Sequence, residues 1–286
     1  MNPTLQVTHA RLDDLPLVFG MLMQMDVQGI YDSEIGDHGL HTGLSGGWMM
    51  VVWLAYILTQ SDHTKYKVEE WVRRHEEVIG KITGQAINAG QFSDNRLGSL
   101  LTRLSGEARW ERFEATLWSH EVEVYEICPI GIGGLLSAHV DSTTVSGYGL
   151  SKGGPSRSHG HFQISGLTHL LTLAARAESL LEWEVERGLL REEKKIKGLY
   201  AGQPQQATAT PTAVVLLKAI ARAEITLTHV TVDGKTFCRL SPLPELLLDI
   251  LRYLHLPVTL YTDWHPDWHP APTVDNSVFD PSFSRK

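Results

Sequence analysis

The sequence predicts a mainly α-helical protein with a small β component. Two observations carry this reading. Apolar residues recur at three- and four-residue spacing through most of the chain, which places them on one face of a helix. Alternation of apolar and polar residues, the mark of a half-buried strand, is confined to a segment near residues 136–145 and to two short stretches flanking Asp233-Gly234.

Taken in order, the first element is a helix. Asp13 and Asp14 precede Leu15-Pro16, an acidic start with a proline near the first helical position, and Leu17, Val18, Met21, Leu22 and Met25 follow at helical spacing. Residues 26–42 read as a polar, glycine-containing connection. Thr42 then caps a second helix that runs through the apolar stretch at residues 48–58, with Gly46 and Gly47 weakening its first turn. That stretch has 11 residues, about half of what a membrane-spanning helix needs, so it is expected to be a buried helix. Residues 68–79 set Trp71 and Val72 against Glu69-Glu70, Arg73-Arg74 and Glu76-Glu77, a surface helix with one apolar face. Two more helices are expected at 96–104 and 107–127.

After the turn-like PIGIGG at 129–134 the texture changes. Leu136, Ala138 and Val140 alternate with Ser137, His139 and Asp141, and Thr143, Thr144 and Val145 are β-branched, so a strand is expected with Asp141 on the face of His139 and Thr143. Residues 147–160 read as a loop. Leu167, Leu170, Leu171, Ala174, Leu181 and Val185 then mark a long amphipathic helix running toward Lys195, with Gly188 as a kink point. GLYAGQPQQATATP at 198–211 is a connector, and 212–223 a short helix. Asp233-Gly234 between residues 225–232 and 235–240 is the strongest hairpin signal in the chain. A last helix covers 242–254, and a tail with the repeat DWHPDWHP follows.

Composition narrows the function classes. The 286 residues, 42% hydrophobic and 20% charged, exclude a fibrous or intrinsically disordered chain. The start MNPTLQVTHARLDDL lacks the features of a secretory signal, and Cys128 and Cys238 have no zinc-ligand or CxxC spacing. A cytoplasmic protein with reduced thiols and no membrane association is therefore expected. The net charge is −8, and the whole excess lies in residues 1–140, with 10 Lys/Arg against 18 Asp/Glu. Affinity for phosphate backbones comes from clustered cations, so any DNA-binding surface must be local.

Three segments resemble bacterial insertion-sequence transposases of the DDE type. They are FSDNRLGSLLTRL at 92–104, HVDSTTVSGYG at 139–149 and GLYAGQPQQATATPTAVVLLKAI at 198–220, and the hairpin with PLPELLLDIL resembles that family's C-terminus. The resemblance implies a helical N-terminal domain followed by an RNase H-like α/β domain. The first strand of that domain carries a carboxylate in a D-[ST]-T-T-V-S-x-Y pattern, and Asp141 matches it. It also implies DNA (transposon ends) as partner and Mg²⁺ as cofactor, because two hard divalent ions bridging the attacking and leaving oxygens need several carboxylates.

The chain departs from the family after that strand. No acidic residue occurs between Ser142 and Ala177, where the second catalytic Asp would lie. This implies an internal deletion that leaves a remnant of the catalytic domain, with Asp141 a vestigial catalytic residue in an incomplete metal site and no tight metal binding. Glu178, Glu182 and Glu186 are candidates for the helix-borne Glu, and each also fits a solvated helix position. The cluster Arg191, Lys194, Lys195 and Lys197 is a candidate phosphate contact, although Glu192 and Glu193 interleave with it. His159, His161 and the tail histidines suggest metal binding only weakly. Trp48, Trp53 and Tyr56 could stack on bases but suit a core better.

The expected organisation is a helical N-terminal domain at 1–130, a remnant of the first catalytic strand and loop at 131–160, a C-terminal helical and hairpin region at 161–262, and a loose tail at 263–286. Three functions fit the sequence: a truncated, inactive transposase-family protein, a residual DNA-binding or oligomerising module that interferes with an intact transposase, or a helical protein with no nucleic-acid role.

Overall fold

The computed structural model describes residues 5–36, 43–127, 156–232 and 235–263. Ten α-helices, one 3-10 turn and a three-stranded antiparallel sheet are present among them, so the mainly α class with a small β component holds. The strand expected near 136–145, with Asp141, lies outside the described residues, as do Cys128, the hairpin turn at Asp233-Gly234 and all of the DWHPDWHP repeat after Asp263.

The chain opens with a strand, β1 (Leu5–Arg11), that the sequence reading does not anticipate. Its partner is β2 (Thr226–Val232), with Val7 opposite Val230 and His9 opposite Thr228, and β2 pairs in turn with β3 (Lys235–Leu240) as the hairpin signal predicts. Pairing continues past the strand end, where the Leu12 N–H donates to the Ile225 carbonyl at 2.8 Å.

Helix α1 (Leu15–Gln24) begins at the expected acidic, proline-containing start. Residues 26–42 are not simply a connection, because α2 (Val27–Glu34) forms there. Asp26 at φ 53° turns the chain between α1 and α2, and the side chain of Asp32 then ties α2 to the next helix. Its carboxylate accepts from the Ser45 hydroxyl at 2.7 Å and from the Gly47 N–H at 2.9 Å. These groups open α3 (Gly46–Gln60), whose N-cap is Ser45; Thr42 lies outside the described residues. Gly47 is required there, since a Cβ would stand 2.5 Å from the Gln28 carbonyl oxygen.

Helix α3 is the centre of the fold. It is buried along nearly its whole length, as its apolar run predicts, and packs against α1, α2, α4 (Lys65–Thr83), α5 (Asp94–Leu104), α7 (Ser156–Arg191) and α8 (Ala213–Ala221). A capped 3-10 turn, Ala89–Phe92, leads into α5, and α6 (Glu107–Val124) follows. Helix α7 begins at Ser156, so the expected loop gives way to helix over 156–160. It stops at Arg191 rather than Lys195, because Glu193 adopts a left-handed backbone at φ 50°.

Helices α5 and α7 cross in close contact. A Cβ on Gly166 would lie 1.9 Å from the Leu101 carbonyl oxygen. Three residues on, the His169 Nδ1–H donates to the Leu104 carbonyl at the end of α5 (2.8 Å), and its ring stacks on Trp110 with centroids 4.3 Å apart. Gly188 does not interrupt α7; its missing side chain admits the Tyr253 ring, whose Cδ1 would be 2.1 Å from a Cβ. Tyr253 ends α9 (Glu245–Tyr253), and the short α10 (Thr259–Thr262) docks on α1, with the Tyr261 hydroxyl donating to the Asp13 carbonyl at 2.8 Å. Buried residues of these elements form one hydrophobic cluster in which Phe19, Tyr31, Trp53, Phe92, Phe113 and Tyr261 are the largest fully buried rings. The boundary expected at 160–161 falls inside α7, and that expected at 130–131 falls outside the described residues.

Candidate functional site

The carboxylates expected from sequence as partners of Asp141 all stand on α7. Glu178, Glu182 and Glu186 follow one another at four-residue intervals and share one side of the helix. Burial first, and the charge of Glu182 second, raise the pKa of both Glu178 and Glu186. Glu182 supports the fold, since its Oε1 accepts from the Ala213 N–H at 2.7 Å and so caps the first turn of α8 from a neighbouring helix. Glu184, on the opposite side, is buried and pairs with Arg187 at 3.4 Å.

Among the described residues no group of three or more His, Cys, Asp or Glu side chains is arranged to hold a metal ion. The acidic strip does not fit the Mg²⁺ pair that two-metal phosphoryl transfer requires, because its middle carboxylate is committed to α8.

The basic cluster surrounds the end of α7. Arg191 is its last residue, where a cation complements the helix dipole. Lys194 Nζ lies 2.9 Å from Glu192 Oε2. Glu192 also takes the Arg252 guanidinium and the Tyr253 hydroxyl (3.2 Å), and these donors, Arg252 first, lower its pKa to about 2. Lys194 is thus neutralised locally, whereas Arg191, Lys195 and Lys197 are exposed and form no ion pair among the described residues. The aromatic residues of α3 do not form a base-stacking platform: Trp53 and Tyr56 are buried and Trp48 packs against the core.

Three arrangements are not visible in the sequence. The first is a buried ion pair between α6 and α7. Arg176 Nε sits 2.7 Å from Glu121 Oε2, yet burial outweighs the guanidinium and pushes the Glu121 pKa up to about 7. The second is a surface cleft of about 320 Å³ beside α4, lined by Tyr56, Asp62, Tyr66, Lys67, Glu70 and Arg74 among others. Its charges are paired internally, Lys67 to Asp62 at 2.8 Å and Arg74 to Glu70 at 3.7 Å. Although burial acts in the opposite sense, hydrogen bonds from Lys67 and Thr64 hold the Asp62 pKa well below the usual carboxylate range.

The third is the outer face of the sheet. Leu227 is buried, and Ala10, Cys238 and Leu240 pack against the core, so the alternate residues Val7, His9 and Arg11 of β1, Thr228 and Val230 of β2, and Phe237 and Arg239 of β3 point away from it. Val7 is 46% and Phe237 61% exposed, and they flank Val230 in one cross-strand row. The next row holds His9 and Arg239, both exposed, with the His9 ring 3.0 Å from the Thr228 hydroxyl between them.

No family model matches the chain, and neither a curated protein nor a solved structure gives a match.

Proposed function

We propose that this chain is a transposase-class protein of the DDE type that lacks most of its RNase H-like catalytic domain and retains DNA binding without DNA cleavage. The carrying observation is the acid-free interval between Ser142 and Ala177, which begins directly after Asp141 of the DSTTVSGY pattern. Phosphodiester chemistry with two divalent ions needs carboxylates converging on ions about 4 Å apart. Asp141 offers one, and of the acidic residues downstream on α7, Glu182 is committed to the cap of α8 and Glu184 to Arg187. Asp141 is accordingly a vestige, and Mg²⁺ is not a resident cofactor.

DNA binding in this reading rests on locally exposed cations in an otherwise acidic chain, with Arg191, Lys195 and Lys197 among them. The partners are transposon-end DNA and either a second copy of this chain or an intact transposase, which it would obstruct by occupying the same ends.

Two experiments test the proposal. The gene should be flanked by terminal inverted repeats, and their absence counts against any transposon origin. The purified chain, incubated with DNA carrying those repeats and Mg²⁺ or Mn²⁺, should leave it uncut. Cleavage that vanishes in Asp141→Asn overturns the inactive reading and requires a distant carboxylate, or one from a second subunit, to complete the site.

A further inference from the structure

We infer that the outer face of the three-stranded sheet is a binding platform for single-stranded DNA, with Phe237 stacking on a base and Arg239 and His9 facing the phosphates. This inference rests on the DNA-binding part of the proposed function and gives it a location.

Charge gives the first argument. The chain carries a net charge of −8, yet the strands β1, β2 and β3 contain no Asp or Glu, and their outward-facing residues include Arg11, Arg239 and His9. Local segregation of cations from an acidic remainder is the footprint that a polyanion partner requires. Asp13 and Glu224 reach only the Arg11 corner, where both pair with that residue, at 2.8 and 3.8 Å. Arg239 is exposed and makes no ion pair among the described residues.

Shape gives the second. Phe237, at 61% exposure, is held by the register of an antiparallel pair rather than by packing, and Val7 and Val230 extend its row across all three strands. Adjacent strands lie about 4.8 Å apart and successive residues of one face about 6.8 Å apart. An apolar row thus runs beside the polar row of His9, Thr228 and the Arg239 guanidinium at close range. An unstacked base can lie on an exposed ring while its phosphate meets the neighbouring guanidinium, whereas the bases of a duplex are stacked on each other and closed to a flat sheet. Every base has a π-face, so such binding is indifferent to sequence.

The test is fluorescence anisotropy with labelled dT20 and a labelled 20-base-pair duplex carrying the inverted repeat, over a salt series, using the full chain. The expected result is tighter binding of dT20 than of the duplex, weakening as salt rises. Phe237→Ala should reduce dT20 affinity about 5- to 150-fold, the loss of one stacked base. Arg239→Ala should weaken binding and flatten the salt dependence, and Arg73→Ala on α4 should leave both unchanged. Because Phe237 and Arg239 are exposed, melting temperatures of the variants should match the parent. Binding of dT20 that is unaffected by Phe237→Ala overturns the platform, as does a duplex preference. A chain that doubles its mass through this face without DNA, and becomes monomeric with Phe237→Ala, overturns it in favour of self-association. Absence of binding to either DNA overturns the DNA-binding reading as well, whereas duplex binding indifferent to both sheet variants removes the platform alone.

Discussion

Where α7 crosses α5, backbone meets backbone: Gly166 leaves no room for even one methyl group beside the Leu101 carbonyl, and His169 closes the end of α5 while stacking on Trp110. The outer face of the sheet is the reverse case, with its largest apolar side chain, Phe237, mostly in solvent and its strands held by ladder hydrogen bonds and one inward face. The crossing is constrained by volume, so its residues are set by stability. The outer face is under almost no packing constraint, so an aromatic ring there does nothing for the fold. Residues can therefore be sorted by what they would cost when changed, and those that cost nothing structurally are the ones to test for binding.

The largest effect is expected at the crossing of α5 and α7. Gly166→Ala pushes a Cβ into a backbone oxygen that cannot rotate away, and a loss of about 3–5 kcal/mol is expected in thermal or urea melts. A change under about 1 kcal/mol would show that the helices separate freely there.

At the joint between β1 and α1, burial raises the Asp14 pKa to about 7. The folded value exceeds the unfolded one, so the native state holds this proton more tightly. Stability from this group is complete below about pH 4 and is lost as pH rises through 7. Relative to the parent, Asp14→Asn should gain about 2–4 kcal/mol between pH 4 and pH 7.5, read from melts at matched ionic strength. A difference that does not vary with pH contradicts the assignment.

Asp32→Ala removes the acceptor that joins α2 to the start of α3, and about 1–2 kcal/mol should be lost. Hydrogen exchange should quicken first at Gly47 and Trp48, and uniform exchange along α3 would refute a local cap. The smallest effect belongs to the sheet: Phe237→Ala should shift stability by less than about 0.5 kcal/mol, and a larger loss would mean the ring is packed.

The helices are legible in the sequence because their information is local. Spacing of Leu17, Val18, Met21 and Leu22, the apolar run in α3 and the Asp233-Gly234 signal each depend on neighbours in sequence. What the sequence hides depends on distant partners. Nothing within residues 5–11 shows that a strand two hundred residues away will pair with it, and α2 is weakly apolar and owes its place to an acceptor at Asp32 that serves Ser45 and Gly47. Gly188 stands out in the helical pattern, but the ring that needs its space, Tyr253, comes from another helix. The candidate site is less legible still. Glu182 looks like a solvated position until the Ala213 N–H is placed beside it, and the outer face of the sheet has no motif, since three separated segments compose it.

The pairing of β1 with β2 also orders events during synthesis. His9 meets Thr228 across 219 residues, and at translation speeds of about 5–20 residues per second the first strand waits roughly 10–40 s for its mate to be made. Helices α1 to α6 can collapse around α3 in that interval, but the amino-terminal strand stays without a ladder until the hairpin is released. A ribosome stalled after α8 would hold a helical body with an unmatched strand, so chaperone engagement of nascent chains is expected to persist until residues 226–240 emerge and then to cease.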